Sequence, residues 1–182
     1  MSWRGTRGGV IAAKMGHDVI MTPTSHCYFD YRQSKRPGEP GAWYALLPIE
    51  TVYEFDPMLE PLPPPPDVVN GQPSSVCVAA DEALTDKEKS HILGGQANVW
   101  TEYIGDEETV EYMLLLRLCA LAEALWTPRE SRSWDCFRLR LDQHVKHLDF
   151  MGLRYRGLDQ EGEGEGTDGD SEAAEEHPPM EE

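Results

Sequence analysis

Basic residues are scarce in this 182-residue chain: 16 Lys and Arg stand against 33 Asp and Glu, for a formal charge of −17. Much of the imbalance sits at one end. From Gly157 to Glu182 there are eleven acids and no base, which leaves 22 acids and 16 bases in residues 1–156, an ordinary balance for a folded domain. Without a cluster of Lys or Arg nothing can displace counterions from a phosphate backbone, so no nucleic-acid partner is expected. Long hydrophobic runs are missing too. The longest, Tyr112 to Trp126, is broken by Arg117 and Glu123 and is too short to span a bilayer. Met1 is followed by charged and glycine-rich sequence rather than the apolar core of a signal peptide, so no compartment is assigned. Cys27, Cys77, Cys119 and Cys136 are widely spaced with no CxxC pair, and are expected to be free buried thiols rather than a disulfide framework or a zinc site. No cofactor is expected.

What is present divides the chain by composition. Residues 1–156 read as a domain interrupted at Leu59 to Glu82 by an irregular insertion carrying Pro61 and Pro63 to Pro66. Residues 157–182 read as a disordered acidic tail, because Glu-Gly steps with almost no apolar side chains cannot offset the entropy of ordering. Gly8 to Met15 predicts a short helix closed by Gly16, and Asp18 to Met21 a buried strand halted by Pro23. Thr85 to Glu88 matches a capping box, with that helix expected to end at Gly94-Gly95 and a second strand to follow at Ala97 to Trp100. Glu107 to Trp126 predicts a helix with acids at its positive end and Pro128 beyond its stop. It is apolar almost all round, which implies a sandwiched position. Trp134 to Met151 predicts a more amphipathic helix, with Phe137, Leu141, Val145 and Leu148 at helical spacing and Gly152 after it. Strands alternating with helices in this order imply an α/β architecture.

Two tripeptides each end a presumed strand with an aromatic ring and a carboxylate two residues apart: Tyr28-Phe29-Asp30 and Trp100-Thr101-Glu102. On an extended backbone such residues share a face. The pairing suits a sugar, whose C–H face packs on a ring while its hydroxyls donate to an acid. Taken singly, either tripeptide more often marks a strand end with its ring in the core and its acid in water.

Four runs, taken in order, resemble the C-terminal part of the β-N-acetylhexosaminidases of glycoside hydrolase family 20. They are Ser2-Trp3-Arg4-Gly5; Val19-Ile20-Met21-Thr22-Pro23 leading into Tyr28-Phe29-Asp30-Tyr31; His91 to Glu102, which contains Gly-Gly-Gln-Ala-Asn-Val-Trp-Thr-Glu; and Ala120-Leu121-Ala122-Glu123-Ala124-Leu125-Trp126. The likeness covers about residues 2–155, with the insertion and tail as departures. It implies about the last two strands, with their helices, of a TIM (β/α)₈ barrel that binds sugar at the C-terminal strand ends. Trp3 would follow the sixth strand, Tyr28 the seventh and Trp100 the eighth. By the same likeness Trp3 and Trp100 wall a pocket for an N-acetyl group, Tyr28 donates to the acetamido oxygen, Asp30 and Glu102 accept from hydroxyls, and Trp43 lies against the sugar ring. His26, beside Tyr28, reads as a structural or solvated loop histidine rather than a base.

The implied activity is release of terminal N-acetylhexosamine from a glycan by substrate-assisted catalysis, an exception to the two-carboxylate scheme. The family's adjacent Asp-Glu pair after the fourth strand has no match here. Asp106-Glu107-Glu108 reads as a helix start, and Asp81-Glu82 follows no patterned strand. A barrel of this type takes ~250 residues, so the expectation is a truncated gene product, an incomplete gene model or one piece of a split enzyme, whose partner is the remainder of the barrel. The competing expectation is a non-catalytic carbohydrate-binding or interaction protein built from the same segment.

Overall fold

Backbone pairing between distant segments organises the computed structural model, which describes residues 1–58 and 84–158. Strand β1 (Val19–Met21) runs parallel to β4 (Ile92–Gly95), pairing Val19 with Ile92 and Met21 with Gly95. On the other side of β1, Ser2 forms a parallel bridge to Met21: its N–H donates to Ile20 O at 3.0 Å and its carbonyl accepts from Thr22 N at 2.9 Å. A second parallel pair joins β2 (Tyr31–Arg32) to β3 (Ala42–Leu46). The helices are α1 (Arg7–Lys14), α2 (Thr24–Cys27), α3 (Ile49–Tyr53), α4 (Asp86–Lys89), α5 (Glu107–Trp126) and α6 (Trp134–Met151). The α/β expectation is met. Among the described residues no helix is long and apolar enough to cross a membrane.

The helices stop where local chemistry stops them. Asp106 accepts from Thr109 N at 2.7 Å and opens α5; Ser133 accepts from Cys136 N and opens α6, which Gly152 closes in the left-handed region at φ 70°. The capping box at Thr85 and Glu88 forms with both of its hydrogen bonds. That helix ends at Lys89, not at Gly94-Gly95, and the strand is Ile92–Gly95 rather than Ala97 to Trp100. The cause is tertiary: pairing with β1 satisfies this backbone, and glycine at 95 leaves room for Phe55, whose ring would lie 2.6 Å from a Cβ there.

The core lies between the short sheet and the helices, with Met21, Phe29, Leu47, Val52, Phe55 and Met113 almost wholly buried. Burial of such a side chain contributes about 1.5–3 kcal/mol. Helix α5 packs on α3 and α6, although Leu118 and Trp126 remain exposed. Arg132 ties the start of α6 to the end of α3 by donating to Tyr53 O at 2.9 Å and Phe55 O at 2.8 Å. Leu158 still packs against the core, while the tail beyond it and the insertion expected at residues 59–82 lie outside the described residues.

At Gly41 close contacts coincide with a left-handed backbone. Gly41 sits at φ 101°, and a Cβ there would lie 2.5 Å from both the Asp30 carbonyl oxygen and Met113 Cε. Gly41→Ala should therefore cost about 2–4 kcal/mol, combining a left-handed backbone penalty with overpacking. Urea denaturation checks it, and a midpoint equal to wild type would show that this turn relaxes freely.

Candidate functional site

Parallel strands in register deliver the residues that follow them to one end of the sheet. Ser2, Met21 and Gly95 are aligned, so Trp3, Thr22 and Gln96 emerge together, with Thr24 N donating to Trp3 O at 3.0 Å and Gln96 N to Met21 O at 3.1 Å. Farther along, Tyr28 and Asn98 form a further parallel bridge, in which Phe29 N donates to Asn98 O at 2.8 Å and Asn98 N to Cys27 O at 2.7 Å. This bridge draws the two ring-and-acid tripeptides together, leaving the Tyr28 and Trp100 rings 6.4 Å apart. Neither tripeptide occupies a regular strand: the first begins at the bridge residue Tyr28 and turns at Phe29-Asp30, and the second follows Asn98 and reaches a turn at Glu102. Phe29 points into the core. Asp30 is only 4% exposed, so its acid is not in water, whereas Glu102 is exposed.

Aromatic side chains continue from this point. Tyr28 meets Tyr31 at 5.7 Å, Tyr31 meets Tyr44 at 5.9 Å, and Tyr44 meets Trp43 at 5.7 Å and Tyr103 at 6.1 Å. Trp100 (50% exposed) and Trp43 (68%) close the two ends of the row. Trp3 is at the same end of the sheet, but its recorded ring partner is the Arg4 guanidinium, 4.7 Å above it. Tyr44 and Tyr103 were not singled out from sequence, since neither stands in an alternating pattern; their adjacency to Trp43 and Glu102 was the available signal.

Charge at the site centres on Asp30. Its Oδ1 is buried without a hydrogen-bond partner among the described residues. Burial pushes its carboxyl above the usual carboxylate range, with Glu102 adding to the rise and Arg117 opposing it. The hydroxyls of Tyr31 and Tyr44 are pushed up by burial first and further by the Asp30 charge, so both remain protonated donors at neutral pH. Arg117, which from sequence is only a break in an apolar run, is fully buried in α5. It donates to Met113 O at 2.9 Å, Tyr31 O at 2.9 Å, Leu47 O at 3.1 Å and Phe29 O.

The remaining candidates are structural. The His26 ring packs 5.5 Å from Phe55 and burial holds it below its usual value, which favours the neutral form. Burial lifts the Cys27 thiol to about 12; Cys27, Cys119 and Cys136 are free as expected, but only Cys27 is fully buried, Cys119 being half-buried and Cys136 exposed on α6, and Cys77 lies outside the described residues. Asp106 is occupied as the cap of α5. Among the described residues no group of His, Cys, Asp and Glu could hold a metal ion. What the surface offers is exposed ring faces, hydroxyl donors and two unequal carboxylates, suited to a ligand with an apolar face and many hydroxyls.

The model of the glycosyl hydrolase family 20 catalytic domain matches residues 1–129. The chain belongs to glycosyl hydrolase family 20. A β-hexosaminidase of Porphyromonas gingivalis is 38% identical over 156 residues, covering 85% of this chain and 17% of that protein. A β-N-acetylhexosaminidase of Cellulomonas fimi is 30% identical over 152 residues, covering 83% and 26%. Among solved structures, the family 20 exo-β-N-acetylglucosaminidase of Vibrio harveyi in complex with N-acetylglucosamine superposes with a TM-score of 0.67 at 31% identity, covering 86% of this chain and 21% of that one. The chain thus spans about a fifth of the length of these family 20 relatives.

A buried acid whose folded value is raised binds its proton more readily folded than unfolded. Its penalty is absent below the ordinary carboxylate range and grows as pH rises through the raised value. Asp30→Asn should therefore melt with wild type in acid and above it at neutral pH. Melting temperatures across that range check this; coincident curves throughout would show that Asp30 is not held against a cost.

Proposed function

We propose that this chain forms the last part of a family 20 catalytic barrel and supplies one wall of the sugar pocket of a β-N-acetylhexosaminidase. Its substrate would be a terminal N-acetylhexosamine on a glycan. The observation that carries the reading is the convergence of Tyr28-Asp30 with Trp100-Glu102 at one end of the parallel strands, with an Asp30 oxygen that has no partner among the described residues. In this reading Trp3, Trp43 and Trp100 pack on the acetamido group and the sugar ring, and Asp30 and Glu102 accept hydrogen bonds from hydroxyls.

Tyr28 donates to the acetamido oxygen. That oxygen attacks the anomeric carbon as the glycosidic bond breaks, giving an oxazolinium ion that water then opens with overall retention. The leaving oxygen needs a proton and the acetamido nitrogen needs a polarising carboxylate. Asp106 is spoken for by helix capping, and Asp81-Glu82 follows no patterned strand in the sequence, so in this proposal both groups come from outside this chain. General acid catalysis typically contributes 10²–10⁴-fold. The purified 182-residue chain should accordingly bind sugar without turning over a chromogenic N-acetylglucosaminide at an enzyme-like rate. Robust turnover by the chain alone would return attention to Asp81-Glu82.

In the full-length protein carrying this chain, Tyr28→Phe should lower kcat more than it raises KM, because the hydroxyl acts on an oxygen that becomes a nucleophile. Glu102→Gln should weaken binding more uniformly, by roughly 10- to 150-fold in kcat/KM, the range for a hydrogen bond to a charged group. Steady-state kinetics with parallel melting curves decide between site and scaffold. Losses that track unfolding in both variants would remove the assignment.

A further inference from the structure

We propose that Arg117 is a positioning residue for the sugar site, setting the placement and the charge state of Asp30 from inside helix α5. The geometry is specific. Its guanidinium donates to the carbonyls of Phe29 and Tyr31, the two residues that flank Asp30, and to that of Leu47, immediately after the strand that carries Trp43 and Tyr44. One planar group therefore fixes the Asp30 turn relative to the aromatic strand. Nε and one terminal nitrogen are anchored in turn on Met113 O, at 2.9 and 2.7 Å, and the cation lies 4.9 Å from the Phe29 ring centroid. A lysine has three donors on a point charge and cannot reproduce this fork.

All the hydrogen-bond partners recorded for Arg117 are carbonyls, so its positive charge is left to act through space. Asp30 and Glu39 are the acids that feel it, and Arg156 opposes it. Facing Asp30 are Arg117 from α5, Glu102 from the turn after β4, Tyr31 from β2 and Tyr44 from β3. Favouring the carboxylate are the hydrogen bond from the Asp30 backbone N–H and, alone among these side chains, Arg117. An Asp30 that protonated early would lose its capacity to accept from two hydroxyls at once. Arg117 touches neither Trp100 nor Glu102 in any recorded contact, which is why its effect should fall on the Asp30 side of the site alone.

The test uses the full-length protein carrying this chain, with Arg117→Lys and Arg117→Met, and two readouts. Carbon-13 NMR of labelled aspartate follows the Asp30 carboxyl against pH. Steady-state kinetics on a chromogenic N-acetylglucosaminide separate KM from kcat. In Arg117→Met the Asp30 midpoint should rise by about one pH unit or more, the size expected when a nearby opposite charge is removed. In Arg117→Lys it should stay close to wild type, while KM rises roughly tenfold or more and kcat is largely kept. A folded Arg117→Met with an unchanged Asp30 midpoint, or a folded Arg117→Lys with wild-type KM, would overturn the proposal. If Arg117→Met does not fold, the KM-against-kcat split of Arg117→Lys decides alone; failure of both variants to fold would mark the residue as scaffold and overturn the positioning role. The role rests on the sugar-site reading, but the titration needs no sugar. A shifted midpoint in a protein that neither binds nor cleaves N-acetylhexosamines would sink that reading and leave the Arg117–Asp30 coupling standing.

Discussion

A guanidinium buried in the middle of helix α5 is the interaction on which the site depends. Taking a cation out of water is costly unless every donor is met, and burial draws the Arg117 value down to about 9. The cost is offset by carbonyls from three separate segments, so the arginine can be satisfied only when the Asp30 turn, the end of β3 and α5 are all in place. Removing any one would strand a buried charge. A helix that would otherwise only cover the sheet thereby becomes the template for the loops above it.

The same logic extends around the loop between β2 and β3. Gln33 donates to Tyr112 O at 2.8 Å, and Ser34 donates to Glu39 at 2.7 Å. Glu39, itself buried, accepts from the Tyr112 hydroxyl and lies 4.0 Å from Arg156. Polar groups here are buried in sets that satisfy one another, which specifies a single loop path more than it adds stability. The buried Asp30 Oδ1, like Thr22 Oγ1 and Arg32 Nε, has no hydrogen-bond partner among the described residues. In the proposed site a sugar hydroxyl would meet the Asp30 oxygen.

How much of this was legible in the sequence depended on how local the determining forces are. Helices α5 and α6 were read to their ends because the acids from Asp106 to Glu108, Pro128 and Gly152 act on or just beyond their own first or last turns. Strand β4 was misplaced because Ile92–Gly95 has two glycines, and only its pairing with Val19–Met21, some seventy residues away, makes it extended. At the candidate site, Tyr28, Asp30, Trp100 and Glu102 could be singled out because they fall in short distinctive runs. Arg117 was missed because an arginine amid leucines looks like an interruption until its acceptors are known. The burial of Asp30 was equally hidden: nothing in Tyr-Phe-Asp tells which of the three turns inward.

That burial makes the two carboxylates unequal partners for a sugar. Glu102 is exposed, so a ligand mismatched there leaves an acceptor that water can still satisfy. Asp30 has no such alternative. Leaving a buried acceptor unmet costs about 1–3 kcal/mol, so a ligand whose hydroxyl is missing or inverted at Asp30 forfeits more than one mismatched at Glu102. Discrimination between epimeric sugars would therefore reside on the Asp30 side, which is the side that Arg117 and the loop network hold rigid. Tolerance would reside at Glu102, on a turn that meets solvent and is free to adjust.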